Sequence, residues 1–145
     1  MSNGNANLKE TDYLRLARFR QALRRFLRFS EEAARRAGIT PGQYPLLLFV
    51  RGFGKEPPTV ADLADRLQVA HQSAVGLVDR CAAAGLVRRR RDPADRRRVR
   101  VELTPAGRRL LARLVREHYR GLAELRAAVP RPVAFGIPLA PRRPR

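Results

Sequence analysis

Between Thr59 and Leu103 two short helical stripes, separated by a three-residue break, run directly into a stretch of period two, and this pattern restricts the fold more than any other part of the chain. Val60, Leu63, Ala64 and Leu67 step as one buried helical face, and Thr59 with Asp62 three residues on has the spacing of a capping box. A turn is expected at Gln68 to Ala70. A second helix over about 71–84 follows, with Ala74, Leu77, Val78 and Cys81 inward and Gly85 as its stop. Two short helices joined by a brief turn make a helix-turn-helix. From Leu86 the period shortens, because Val99, Val101 and Leu103 alternate with Arg98, Arg100 and Glu102 as on a half-buried strand. Leu86 to Arg91 is its natural antiparallel partner across the turn Asp92-Pro93-Ala94-Asp95. The fold class is therefore mainly α with a small antiparallel β-hairpin wing (α+β).

Long helices are expected on both sides of this winged unit. Thr11 can cap the first, whose apolar positions Leu16, Phe19, Leu23, Phe26 or Leu27, Ser30 and Ala33 or Ala34 recur every three to four residues up to Gly38. Thr40 with Pro41 in the first turn opens a helix running to Gly52, in which Pro45 predicts a local irregularity because past the first turn it deletes a backbone hydrogen bond. Thr104 and Pro105 occupy the cap and first-turn positions of a last helix that reaches about Val129. Residues 1–10 read as a frayed leader, and residues 130–145, with five prolines, as a Pro/Arg-rich tail without regular structure. The expected organisation is a single domain over 1–145, in which 11–52 and 104–129 are scaffold helices, 57–103 the winged lobe and 130–145 the tail.

Charge suggests the partner. The 145 residues hold 31 Lys+Arg against 13 Asp+Glu, a formal charge of +18, and all but Lys9 and Lys55 of the cations are arginine. Planar guanidinium forks match phosphate and base edges, so a polyanion is the expected partner. Residues 38–85 balance four cations with four acids, whereas 86–103 carry eight against three, which puts the greatest charge density on the hairpin. A neutral helix that reads bases beside a cationic ribbon that takes phosphates or the minor groove accounts for this division. With Ala74, Val78 and Cys81 buried, a step of about 100° per residue turns Gln72, Gly76, Asp79, Arg80 and Ala83 outward, with Ser73 and Val75 at the edges. Gln72 suits a bidentate contact to adenine, Ser73 either base type or phosphate, and Gly76 a close approach to the groove.

Other classes find less support. One cysteine excludes an intrachain disulfide framework and a Cys-based zinc site, and the two histidines, His71 and His118, lie at no triad or metal spacing, so no cofactor and no enzyme activity are expected. His71 lies beside the outward face; His118, on an Arg-rich helix, is expected to be solvated or at an interface. The six Phe and three Tyr fall mostly on inferred core faces, which leaves no stacking platform for single-stranded RNA. No apolar run approaches about 18 residues and no signal peptide is readable, so a cytoplasmic protein with no membrane partner is expected. A non-specific architectural nucleic-acid binder is the alternative that charge alone would permit.

The run TVADLADRLQVAHQSAVGLVDRCAAAGLVRRRRDPADRRRVRVELTPAGRRLL, Thr59 to Leu111, resembles the MarR family of winged-helix bacterial transcription regulators. The likeness is carried by SAVGLVDR on the second helix of the pair, AAGLVRR entering the hairpin, and DPADRR with VELTPAG leaving it. It extends more weakly back to about residue 12 through Thr40-Pro41-Gly42-Gln43. The resemblance implies a repressor that binds double-stranded DNA as a homodimer joined through its N- and C-terminal helices, often released by a small aromatic or phenolic effector. It also implies that the arginine of an Asp-x-Arg pair, here Asp95 and Arg97, enters the minor groove while the aspartate steadies it. The DNA-binding candidates are thus His71, Gln72, Ser73, Gly76, Arg80, Arg90, Arg91, Asp95, Arg96, Arg97 and Arg98. Two departures stand out: Ala70 replaces the usual Ser or Asp cap of the recognition helix, and the prolines after residue 129 forbid a further dimer helix.

Overall fold

The structure, a computed structural model, describes residues 8–129, so the tail and most of the expected leader lie outside the described residues. In chain order the elements are α1 (Glu10–Arg36), α2 (Gln43–Arg51), α3 (Val60–Leu67), α4 (His71–Ala83), β1 (Val87–Arg91), β2 (Val99–Leu103) and α5 (Pro105–Ala128). The fold is the expected winged helix-turn-helix with long flanking helices.

The described chain divides into two compact units, one over residues 30–118 and the other over 8–29 with 119–129. In the first, Leu46 and Leu47 of α2, Leu63 of α3, Val78 and Cys81 of α4, Val101 of β2 and Leu114 of α5 are almost wholly buried in one core with Ala33 and Ala34. In the second, the described parts of α1 and α5 meet closely at Gly121, where a Cβ would lie 2.5 Å from the Phe29 ring, and Arg25 Nη1 reaches Glu124 Oε1 at 2.5 Å.

The helix starts expected for α3 and α5 are present. Thr59 Oγ1 accepts the Asp62 N–H while Asp62 Oδ2 accepts the Thr59 N–H, so both bonds of the capping box are made. Thr104 Oγ1 accepts from the Gly107 N–H and donates to the Gly85 carbonyl, tying α5 to the hairpin entrance. Two other expected starts are corrected. Thr11 lies inside α1, whose entry is closed instead by the Lys9 N–H donating to Asp12 Oδ2 at 2.9 Å. Thr40 and Pro41 lie in a turn before α2, in which the Thr40 N–H donates to Gln43 Oε1. Starting α2 at Gln43 makes Pro45 its third residue, where an N–H has no intrahelical partner, so the expected irregularity does not arise.

The hairpin is antiparallel as anticipated from the sequence, and its register pairs Val87 with Leu103 and Arg91 with Val99. Its far edge carries a contact that the pattern did not announce: Thr59 bridges to Arg100, and the Val101 N–H donates to the Pro58 carbonyl at 2.8 Å.

His118 corrects a further expectation. It is buried, not solvated: Nδ1 lies 2.6 Å from the Leu114 carbonyl, Nε2 lies 2.7 Å from Ser30 Oγ, and the ring stacks on Tyr44 with centroids 4.2 Å apart. A carbonyl can only accept, so Nδ1 carries the proton. Burial also raises the Tyr44 phenol above its ordinary pKa. The aromatics are less buried than expected, since Tyr13 and Tyr119 are exposed in the described chain.

Candidate nucleic-acid interface

The turn before α4 is set by Gln68, whose left-handed φ of 57° ends α3 while the Val69 N–H returns to the Ala64 carbonyl. Ala70 makes no side-chain cap to α4, as its side chain dictates. With Ala74, Val78 and Cys81 buried, His71, Gln72, Ser73, Asp79 and Arg80 are exposed, in line with the expected face. Gly76 is half-buried because the Arg80 guanidinium lies alongside it, 3.4 Å from where a Cβ would stand.

The arginines of the hairpin fall into two groups, a division that the sequence did not show. One group is held by carboxylates. Arg88 and Arg90 both bond Glu102, and Arg89 reaches back to Asp79 of α4 at 2.5 Å, linking the helix to the ribbon. Arg100 is the most enclosed. Its Nε and Nη2 bond Asp92 Oδ2 at 2.9 and 2.8 Å, Nη1 donates to the Pro57 carbonyl, and Nη2 also meets Glu56. The Ala94 N–H and the Arg100 guanidinium hold the Asp92 carboxyl below its ordinary pKa, and Asp92 in turn raises that of Arg100. Although burial pushes the Asp62 carboxyl up, the Thr59 bonds together with the charges of Arg100 and Arg98 leave it lowered.

The second group lies around the turn. Arg91, Arg96 and Arg98 are exposed and form no ion pair among the described residues. Arg97 is 93% exposed, its Nε 3.5 Å from Asp95 Oδ1. The same Asp95 oxygen accepts the Arg97 backbone N–H at 3.1 Å, so one carboxylate closes the turn and also orients the guanidinium.

Not all of the candidate residues come together. His71, Arg97 and Arg98 share a cleft of about 560 Å³ between the start of α3, His71 and the β2 side of the hairpin, whereas Arg90 and Arg91 line a different one beside Asp92. The residues that sequence reasoning missed are Arg89, Asp79, Asp92 and Arg100, which fix the hairpin in place. Alternation marks Arg100 only as a polar-face residue. Its partners on the 56–57 loop are more than forty positions away. Among the described residues no cluster of His, Cys, Asp and Glu could hold a metal ion, and no helix is long and apolar enough to cross a membrane.

Residues 37–98 match the model of the MarR family. A protein of Bacillus subtilis (strain 168) described as an uncharacterized HTH-type transcriptional regulator, YsmB, is 32% identical over 87 residues, which are 60% of this chain and 58% of that protein. The chain thus spans a little over half the length of that relative. Among solved structures, a MarR family protein from Bacillus stearothermophilus superposes with a TM-score of 0.69 at 26% identity, covering 81% of each chain. The S. aureus MepR F27L mutant, solved bound to an oligodeoxyribonucleotide, superposes with a TM-score of 0.65 at 20% identity, covering 88% of this chain and 89% of that one. Over residues 37–98 the chain is thus similar in sequence to the MarR family of transcription regulators, and its fold is that of MarR family proteins.

Proposed function

We propose that the chain is a sequence-specific regulator of transcription that binds double-stranded DNA as a homodimer on a pseudo-palindromic operator, acting as a repressor that a small aromatic or phenolic effector releases. The observation that carries this reading is the exposed start of α4 beside exposed arginines of the hairpin turn, with His71, Arg97 and Arg98 on one cleft. An exposed polar helix face can read base edges in the major groove, and a projecting guanidinium can read the width and negative potential of the minor groove. The oligodeoxyribonucleotide in the MepR structure supports the same reading. Tyr13, Leu16 and Leu27 of α1, all exposed, lie within about 60° of one helix face and offer apolar surface to a second copy.

Two substitutions separate the elements. Gln72→Ala is expected to cost about 1–3 kcal/mol on the best site and relax discrimination there, leaving non-specific binding nearly unchanged. Arg97→Ala weakens binding to all sequences and flattens its salt dependence, and Asp95→Ala does the same more mildly. Wild-type affinity, salt slope and specificity in Arg97→Ala would remove the hairpin from the mechanism. The architectural alternative draws on the row Arg109, Arg113 and Arg116, exposed on α5 outside the winged lobe. Competition decides between the two: a regulator prefers one duplex over bulk DNA by roughly a thousandfold or more, and an architectural binder does not.

A further inference from the structure

Arg97 has to stand at a set distance from α4 if helix and hairpin are to engage neighbouring grooves of one duplex. The side chain that fixes this distance is not itself open to DNA: Arg97 is 93% exposed, Arg100 only 14%. We propose that Arg100 is a positioning residue for DNA binding, which acts not by meeting phosphates but by holding the turn that carries Arg97 against the segment leading into the helix-turn-helix. The inference rests on the proposed role of Arg97 and adds the residue that aims it.

On the side of the turn, the guanidinium grips Asp92 through Nε and Nη2, both on Oδ2. Asp92 is the hub of the turn, because its Oδ1 accepts the Ala94 N–H at 2.8 Å and its own N–H donates to the Arg98 carbonyl at 2.9 Å. The Arg98 N–H returns to the Asp95 carbonyl, and Asp95 Oδ1 accepts the Arg97 N–H and orients its guanidinium. On the other side, Nη1 donates to the Pro57 carbonyl and Nη2 to Glu56 Oε2, both at 2.9 Å. Thr59, two residues after Pro57, is the N-cap of α3. One guanidinium thus ties the turn to the entrance of the helix-turn-helix, and its rigid fork of five donors is what lets it meet three partners at once.

The strands have fastenings of their own. Arg89 pairs with Asp79 of α4, the Thr104 N–H donates to the Leu86 carbonyl, and the Val101 N–H donates to the Pro58 carbonyl. None of these uses the Arg100 side chain, so its loss is expected to loosen the turn without unfolding the lobe. Among the described residues, Arg100 is the one hairpin arginine whose side chain bonds both the turn and the 56–57 loop.

The test is the duplex affinity of the full chain, measured well below the melting temperatures, for Asp92→Asn and Arg100→Lys, each alone and combined with Arg97→Ala. Asp92→Asn keeps an acceptor for the Ala94 N–H but gives up the charge that holds Arg100. It also removes a negative charge from the hairpin, so electrostatics alone predicts tighter binding. Positioning predicts the opposite sign, a loss of roughly three- to tenfold. Arg100→Lys keeps the charge but not the fork, and should lose about as much. In the Arg97→Ala background neither substitution should weaken binding further, because the group they aim is gone, whereas a merely structural role gives losses that add. The proposal is overturned if Asp92→Asn binds as tightly as wild type or more tightly, if Arg100→Lys binds as wild type does, or if either loss adds to that of Arg97→Ala. Should Arg100→Lys fail to fold, Asp92→Asn and its combination with Arg97→Ala decide alone. Failure of the wild type to bind duplex DNA, or wild-type affinity in Arg97→Ala, would sink the underlying reading as well; wild-type affinity in Asp92→Asn and Arg100→Lys while Arg97→Ala is weakened would sink this proposal only.

Discussion

Cys81 and Asp92 show how far one side chain's behaviour depends on its surroundings. Cys81 is fully buried against α2, where desolvation pushes its thiol up to about 11 even with Gln43 bonded to it. A thiol in that state is a small hydrophobe and not a sensor. Cys81→Ser is therefore expected to leave any peroxide response of DNA binding unchanged, and an oxidant response lost in the folded variant would contradict this. Asp92 behaves in the opposite way. Its carboxyl is held below 3.8 by Ala94 and Arg100, so its contribution to stability is present above the ordinary carboxylate value and fades as pH falls through the lowered one. Asp92→Asn should melt below wild type at pH 7, with the two melting temperatures converging under acid below about pH 4. A constant gap across that range would show that charge plays no part.

At the scale of elements, the ends of helices carry most of the local specification. Thr59 Oγ1 satisfies one orphan donor of α3, the Asp62 N–H, while Asp62 accepts the Thr59 N–H in return, and Thr59→Ala is expected to cost about 1 kcal/mol. Ala70 caps nothing although its backbone is already extended, so Ala70→Ser should stabilise the protein by about 0.5–1 kcal/mol. Denaturant titration measures both, and stability unchanged by Ala70→Ser would mean that the exposed start of α4 gains nothing from a cap. Gly107 is needed for packing, not for a turn: a Cβ there would stand 2.0 Å from the Leu86 carbonyl oxygen. Gly107→Ala must push α5 away from the hairpin entrance, at a cost of at least about 1–3 kcal/mol in the same titration.

For the whole molecule, charge and assembly set the measurable behaviour. Of the eight cations in 86–103, Arg88, Arg89, Arg90 and Arg100 are bonded to carboxylates, so the proposed DNA binding is expected to neutralise fewer phosphates at the hairpin than its composition suggests. Log affinity for duplex DNA should still fall linearly with log salt, by about 0.9 for each phosphate contacted. No salt dependence would rule out the nucleic-acid reading. Sedimentation should give the mass of a dimer for the wild type, and Leu16→Arg with Leu27→Arg should shift it toward the monomer while the winged lobe stays folded. Wild-type mass in that double variant would move the interface elsewhere.

The amino-acid sequence by itself determined the features that depend on neighbours in the chain. These are the helix-turn-helix, the antiparallel hairpin, the Thr59 and Thr104 starts, and the exposed face of α4, each set by local period, capping chemistry or turn residues. It failed where the deciding partner is remote. Pro45 is harmless because the bond between Thr40 and Gln43 delays the start of α2, a choice that the Thr-Pro pair alone does not reveal. His118 reads as one polar residue on an arginine-rich helix until Ser30, 88 positions away, and Tyr44 close around it. The arginines of the hairpin are chemically alike in sequence. Only the tertiary structure, by placing Asp79, Asp92, Glu56 and Glu102 beside some of them, decided which ones fix the fold and which remain open to a partner, because a carboxylate pairs only with a cation that folding brings within a few ångströms.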